Sequence, residues 1–146
     1  MKQSKSILLI EDDNDDQQFF IEAISTIENA KLYGIAGHGK EALDLLEQSS
    51  ILPDFIFSDI NMPVMNGIEC LSEMKMNPRM NSIPVIMLST SVAQSEMACQ
   101  LGARAFVKKP NNVNLLHDHI DKIINDDFVV ASPMLLPSFQ PLPVAA

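Results

Sequence analysis

The chain has no tryptophan, a single tyrosine and five glycines in 146 residues. A tryptophan-free chain with few aromatics offers little stacking surface for bases. Positive charge is also scarce: ten Lys and Arg stand against nineteen Asp and Glu, for a net charge of −9 and a pI near 4.6. That balance excludes a nucleic-acid surface, which needs basic side chains to displace counterions. Long apolar runs are missing near the start. Two lysines precede Ile7–Ile10, but that run stops at Glu11-Asp12-Asp13, too short for a signal peptide or a membrane span. The expectation is therefore a cytoplasmic protein with no membrane contact. The two cysteines, Cys70 and Cys99, have no CxxC spacing and lie in helical, partly apolar segments, so they read as packing thiols.

What is present is 47% hydrophobic residues, enough for one domain with a sizeable core. Strand-like runs alternate with helical stripes. The runs are 6–10 (SILLI), 31–37, 54–59 (DFIFSD), 83–88 (IPVIML) and 104–107 (RAFV). Between and after them lie helical patterns at 16–30, 39–48, 67–76, 91–100 and 112–124. Ser91-Val-Ala-Gln94 has the spelling of a capping box and predicts the start of the fourth helix there, with Gly102 closing it. Each connection is long enough for a crossover helix, so the strands should be parallel. The near-continuous apolar strands predict burial on both faces, and right-handed crossovers then give an α/β doubly wound sheet of five strands.

From about residue 128 the composition changes. FVVASPMLLPSFQPLPVAA has no charge and four of the nine prolines. Disordered tails are usually polar, so this apolar one is expected to be a loose end or an extended arm on the domain or on a partner, including a second copy. The expected division is a domain over 1–127 and a tail over 128–146, with no output domain following.

Open parallel sheets bind ligands beyond the carboxyl ends of their strands. Glu11, Asp12 and Asp13 follow the first strand, Asp59 and Asn61 the third, Ser89 and Thr90 the fourth, and Lys108, Lys109 and Pro110 the fifth. Taken singly, the acids could start a helix, Asp59 could sit in a turn, Ser89 could be a cap and Lys109 a solvated charge. Taken together, the topology carries them to one edge. Crowded carboxylates repel, and a divalent cation relieves the repulsion; open oxygen ligands suit Mg²⁺. A lysine opposite them suits a phosphoryl oxygen.

Four blocks, ILLIEDD (7–13), SDINMPVMNG (58–67), PVIMLST (84–90) and FVKKP (106–110), resemble the receiver domain of two-component response regulators, in the stand-alone, chemotaxis-type form. The resemblance covers about residues 5–126. It implies the flavodoxin-like strand order 2-1-3-4-5, which is inherited from the family. It further implies Asp59 as phosphoacceptor and Asp12 as a direct Mg²⁺ ligand, with Glu11 acting through water and Asn61 through its backbone carbonyl. Lys109 would stabilise the phosphoryl group, leaving Lys108 as a surface charge. Ser89 and Phe106 would be the switch pair, and Pro110 would follow a cis bond. Thr90 departs from the small residue common there and would narrow access to the phosphoryl group. The implied partners are a sensor histidine kinase or phosphotransfer protein and an unidentified downstream protein, which would bind the surface of the fourth helix, fifth strand and fifth helix. Two rivals from other classes are a Mg²⁺-dependent phosphohydrolase and a phosphorylation-independent interaction module. The first usually places an acid where Asn61 stands. The second has no use for intact Asp12, Asp59 and Lys109. A flavodoxin would want a phosphate-cradling loop where EDDND stands.

Overall fold

The computed structural model describes residues 3–125 and the backbone of residues 139–141. The elements are β1 (Lys5–Ile10), α1 (Asn14–Ser25), β2 (Ala30–Ala36), α2 (Gly39–Gln48), β3 (Phe55–Asp59), α3 (Gly67–Met76), β4 (Val85–Ser89), α4 (Ser95–Gln100), β5 (Ala105–Lys108), α5 (Val113–Asn125) and β6 (Phe139–Pro141). Five parallel strands run in the order β2-β1-β3-β4-β5, as expected. The sheet has a sixth member: β6 pairs antiparallel with β5, Phe139 opposite Val107 and Pro141 opposite Ala105. The rest of the expected tail lies outside the described residues.

Successive strand side chains point to opposite faces, which explains runs that are apolar at every position. Leu8, Ile10, Ile56, Val85, Met87 and Phe106 face α2, α3 and α4. Ile7, Leu9, Phe57, Ile86, Leu88 and Val107 face α1 and α5. The Phe20 and Phe57 rings meet across the second layer with centroids 5.4 Å apart. Each large apolar side chain taken wholly out of water contributes about 1.5–3 kcal/mol. Cys70 is buried in the first of these layers, where burial pushes its thiol up to about 12, and Cys99 is buried as well.

Four helix starts have side-chain caps, among them α5, where Asn112 Oδ1 accepts from the Leu115 amide at 3.1 Å. Asp13 accepts from the Asp16 amide at 3.0 Å, and His38 Nδ1 from the Glu41 amide at 3.2 Å. Asn66 and Glu69 form a reciprocal capping box at α3. The capping box expected at Ser91–Gln94 is corrected. The Ser91 hydroxyl accepts from the Ala93 amide two residues on, closing a turn, and α4 begins only at Ser95 with no side-chain cap. Gly102, at φ +98°, ends that helix as predicted. The first helix starts at Asn14 and ends at Ser25, earlier at both ends than the 16–30 stripe: Asp13 caps its start, and Thr26 ends it with its amide on the Ile24 carbonyl.

At the amino-terminal edge of the sheet, polar groups close on one another. The Asn29 side chain donates to the Gln3 carbonyl at 2.9 Å and to Asn125 Oδ1 at 2.6 Å, and its own oxygen accepts from Asn125 at 3.1 Å. The Ser6 amide donates to Asp54 at 2.8 Å. Arg79 donates to the carbonyls of Leu46 and Ser49 at the end of α2. Among the described residues, no helix is long and apolar enough to cross a membrane.

Candidate functional site

The opposite edge is built differently. β1 ends at Ile10, and the Glu11 amide continues the sheet by donating to the Ala36 carbonyl at 2.9 Å. This carries Glu11 into the interior, where it is 2% exposed, while Asp12 emerges to solvent. β3 delivers Asp59 to the same edge with 8% exposure. Carboxylate oxygens of Glu11, Asp12 and Asp59 lie within 4.8 Å of one another. From beyond β5, Lys109 Nζ donates to Glu11 Oε1 at 2.8 Å and to Asp16 Oδ2 at 3.0 Å, and stands 3.4 Å from Asp59 Oδ1. Its backbone amide is pinned to the Ser89 carbonyl at 2.8 Å.

One glycine fixes the turn after Asp59. The Gly67 amide donates to the Ile60 carbonyl at 2.8 Å, and a Cβ on Gly67 would fall 2.1 Å from the Asp59 carbonyl oxygen. Only a residue without a side chain lets α3 start that close to the strand end. Between them, Val64 takes φ 66°, a left-handed conformation that a β-branched residue adopts at a cost.

The electrostatics follow from this crowding. Burial pushes the Glu11 carboxyl up to about 7, with the Asp59 charge adding to the rise and the Lys109 hydrogen bond opposing it. Burial likewise raises Asp59, against the pull of Lys109. Burial works against the Lys109 ammonium, yet its hydrogen bonds to Glu11 and Asp16 and the charge of Asp59 hold its pKa above the ordinary lysine range. Two buried acids with raised pKa values beside an exposed third form an oxygen donor set that fits a hard divalent cation with open positions.

The predicted residues are thus partly gathered. Glu11, Asp12, Asp59 and Lys109 come together. Asn61 is exposed two residues past Asp59, and Thr90 is exposed after β4. Ser89 is 2% exposed, and its hydroxyl accepts from the Ser91 amide at 3.2 Å. Phe106 is fully buried in the α2–α3–α4 layer, and Lys108 is exposed. The expected cis bond before Pro110 is corrected: there is no cis peptide among the described residues, so Lys109–Pro110 is trans, the lower-energy isomer. Sequence reasoning gives Asp16 no place in the site. The available signal was its place three residues after the Asp13 cap, on the turn of α1 nearest the strand end.

A doubly wound sheet with a carboxylate cluster and an opposed lysine at its carboxyl edge defines a class of domains that handle phosphoryl groups with a divalent cation. Within that class the chain belongs to the response regulator receiver domain family, which its residues 7–121 match. Response regulator Rcp1 of Synechocystis is 31% identical over 128 residues, covering 82% of this chain and 86% of Rcp1. The Mn²⁺-bound form of Rcp1 superposes with a TM-score of 0.71 at 30% identity over 90% of this chain and 99% of that one. The phosphorylated cyanobacterial phytochrome response regulator RcpA gives a TM-score of 0.74 at 28% identity, over 88% and 97% of the two chains. A protein-glutamate methylesterase/protein-glutamine glutaminase of Methanosarcina mazei is 37% identical over 123 residues, 76% of this chain but 33% of that protein. The chain spans about a third of the length of such relatives. The family assigns it a phosphoacceptor role in two-component signalling.

Proposed function

We propose that the chain accepts a phosphoryl group on Asp59 from the phosphohistidine of a sensor histidine kinase or phosphotransfer protein. The observation that carries this reading is the position of Asp59: a buried carboxylate at a strand end, beside two further acids and 3.4 Å from a lysine ammonium. The Asp59 oxygen attacks phosphorus, the bond from phosphorus to the donor breaks, and the leaving group departs with the electron pair. Lys109 balances the charge on the phosphoryl oxygens, and the fixed loop behind Gly67 holds the carboxylate in place, so the chain's part is chiefly positioning and electrostatics. Asp12, Asp59 and the Asn61 carbonyl, with Glu11 through water, would hold Mg²⁺, which would supply neutralisation of the crowded acids and of the transferred charge. The Ser89 hydroxyl then turns toward the phosphoryl group and Phe106 shifts in the space behind it. The surface of α4, β5 and α5 changes its population toward a form that binds a downstream protein. Thr90, exposed at the mouth, limits the approach of water to the acyl phosphate.

Incubation with acetyl phosphate and Mg²⁺ should label the protein with a hydroxylamine-sensitive phosphate, absent in Asp59→Asn. Equal labelling of that variant would sink the assignment.

The pairing of β6 with β5 supports a second-copy partner, because an arm that reaches its own sheet edge can pair with the same edge of another molecule. Light scattering on residues 1–146 and 1–127 tests this; equal, monomeric masses would refute it.

A further inference from the structure

The contacts of Lys109 are unevenly shared. An ammonium has three hydrogens to donate. Two go to Glu11 and Asp16, at 2.8 and 3.0 Å, whereas Asp59 stands farther off, at 3.4 Å. The lysine is thus held toward α1, away from the carboxylate it would serve.

The way α1 begins explains why Asp16 is free to do this. With Asp13 as cap, Asp16 is the residue whose side chain would ordinarily reach back to the cap amide in a capping box. That amide is already taken: Asp13 N–H donates to Glu11 Oε2 at 3.3 Å. Glu11 therefore uses one oxygen on the start of α1 and the other on Lys109. The displaced Asp16 carboxylate turns to the lysine instead, bridging α1 to the β5–α5 connection. A cavity of about 50 Å³ adjoins the pair, lined by Glu11, Asp16, Lys109 and Pro110 with Phe19 and Leu116 behind them.

We propose that Asp16 is a positioning residue that competes with Asp59 for Lys109 and so restrains phosphoryl acceptance. The inference rests on the reading of Asp59 as phosphoacceptor. In the resting chain Asp16 and Glu11 hold the ammonium toward α1, 3.4 Å from Asp59 Oδ1. For transfer, Lys109 must leave Asp16 and turn to the phosphoryl oxygens, and the free energy of that exchange adds to the barrier. Removing the Asp16 charge lowers it.

The test compares wild type, Asp16→Asn, Asp16→Glu and Asp59→Asn, full length, with acetyl phosphate as donor at saturating Mg²⁺. Asp16→Asn should raise the maximal labelling rate by about three- to tenfold, the net scale of one ordinary hydrogen bond, as suits a half-exposed carboxylate. Asp16→Glu, which keeps a carboxylate within reach, should return the rate toward wild type. In the metal-free protein, the side-chain ammonium resonance of Lys109, assigned by its loss in Lys109→Arg, should shift in Asp16→Asn and recover in Asp16→Glu. An unchanged maximal rate, a gain confined to the donor KM, or an unmoved Lys109 resonance each overturns the proposal. The first two results would point to charge repulsion at a distance, or to no role. Failure of the underlying reading looks different: Asp59→Asn would then label like wild type.

Discussion

The two edges of the sheet solve opposite problems with similar materials. At the amino-terminal edge, Asn29, Asn125 and the Gln3 carbonyl meet as neutral donors and acceptors, and Arg79 closes the end of α2. At the carboxyl edge, Glu11, Asp12 and Asp59 are like charges in one place, answered by a single ammonium. The first edge is finished without a ligand. The second is left with surplus negative charge and a glycine-dependent turn, so its free energy falls when a cation enters. Stability resides in the one and chemistry in the other, and substitutions should separate them.

The largest effect is expected from Gly67→Ala. The added methyl would meet the Asp59 carbonyl at 2.1 Å, backbone that cannot swing aside. Overpacking of this kind costs about 3 kcal/mol or more, and it displaces the phosphoacceptor as well. Urea unfolding should show the loss, and labelling by acetyl phosphate should fall at temperatures where the variant is folded. Wild-type labelling by a folded Gly67→Ala protein would separate the turn from the chemistry.

Asn29→Ala probes the other edge. It leaves the Gln3 carbonyl and the Asn125 amide without the partner they have now, inside a site where Asn29 is 6% exposed. The expected cost is about 1–3 kcal/mol in urea unfolding, with the labelling rate of the folded protein unchanged. A fall in labelling would show that the two edges are coupled.

Much of this division is legible in the sequence. Helices at 39–48 and 67–76 match the structure at both ends, because Gly39 and Gly67 open them and the apolar stripe is clear. The site acids and Lys109 are legible because they sit directly after apolar strands, where parallel topology gathers them. What depends on the local path of the chain is not legible. Ser91-Val-Ala-Gln94 and Asn66-Gly-Ile-Glu69 carry equally good capping spellings, and only the second is used, since a turn consumes the Ser91 hydroxyl first. Asp16 reads as a dipole charge until Glu11 is seen to fill its place at the cap. The β6 pairing arises from a segment whose composition announces apolarity but neither register nor partner.

A pH series sharpens the contrast further. The folded pKa of Glu11 is about 7, above its ordinary 4.5, so the folded state binds that proton more tightly than the unfolded chain. The stability gained is complete below about pH 4.5 and disappears as pH rises through about 7. Asp59, also raised, acts in the same direction. The metal-free protein should therefore have a lower urea midpoint at about pH 8 than at about pH 5.5. Glu11→Gln should flatten the difference, and Mg²⁺ should restore the midpoint at high pH. A midpoint that rises with pH in the wild-type protein would contradict the crowding on which the site rests.

The smallest effect concerns Val64, the one non-glycine with positive φ among the described residues, and it lies in the loop after Asp59. A valine there loses about 1 kcal/mol or somewhat more relative to a residue that tolerates the left-handed region. Its side chain is 78% exposed, so little packing offsets the loss. Val64→Asn should raise the urea midpoint by the equivalent of about 1 kcal/mol, since asparagine adopts this conformation readily. If the loop's shape is fixed by Gly67 and by the Asn66–Glu69 box, labelling by acetyl phosphate should not change, and the strain at Val64 is then a tolerated by-product of seating Asp59. If labelling drops while stability rises, the strained conformation itself helps to aim the carboxylate, and backbone strain joins crowded charge as a property confined to the working edge.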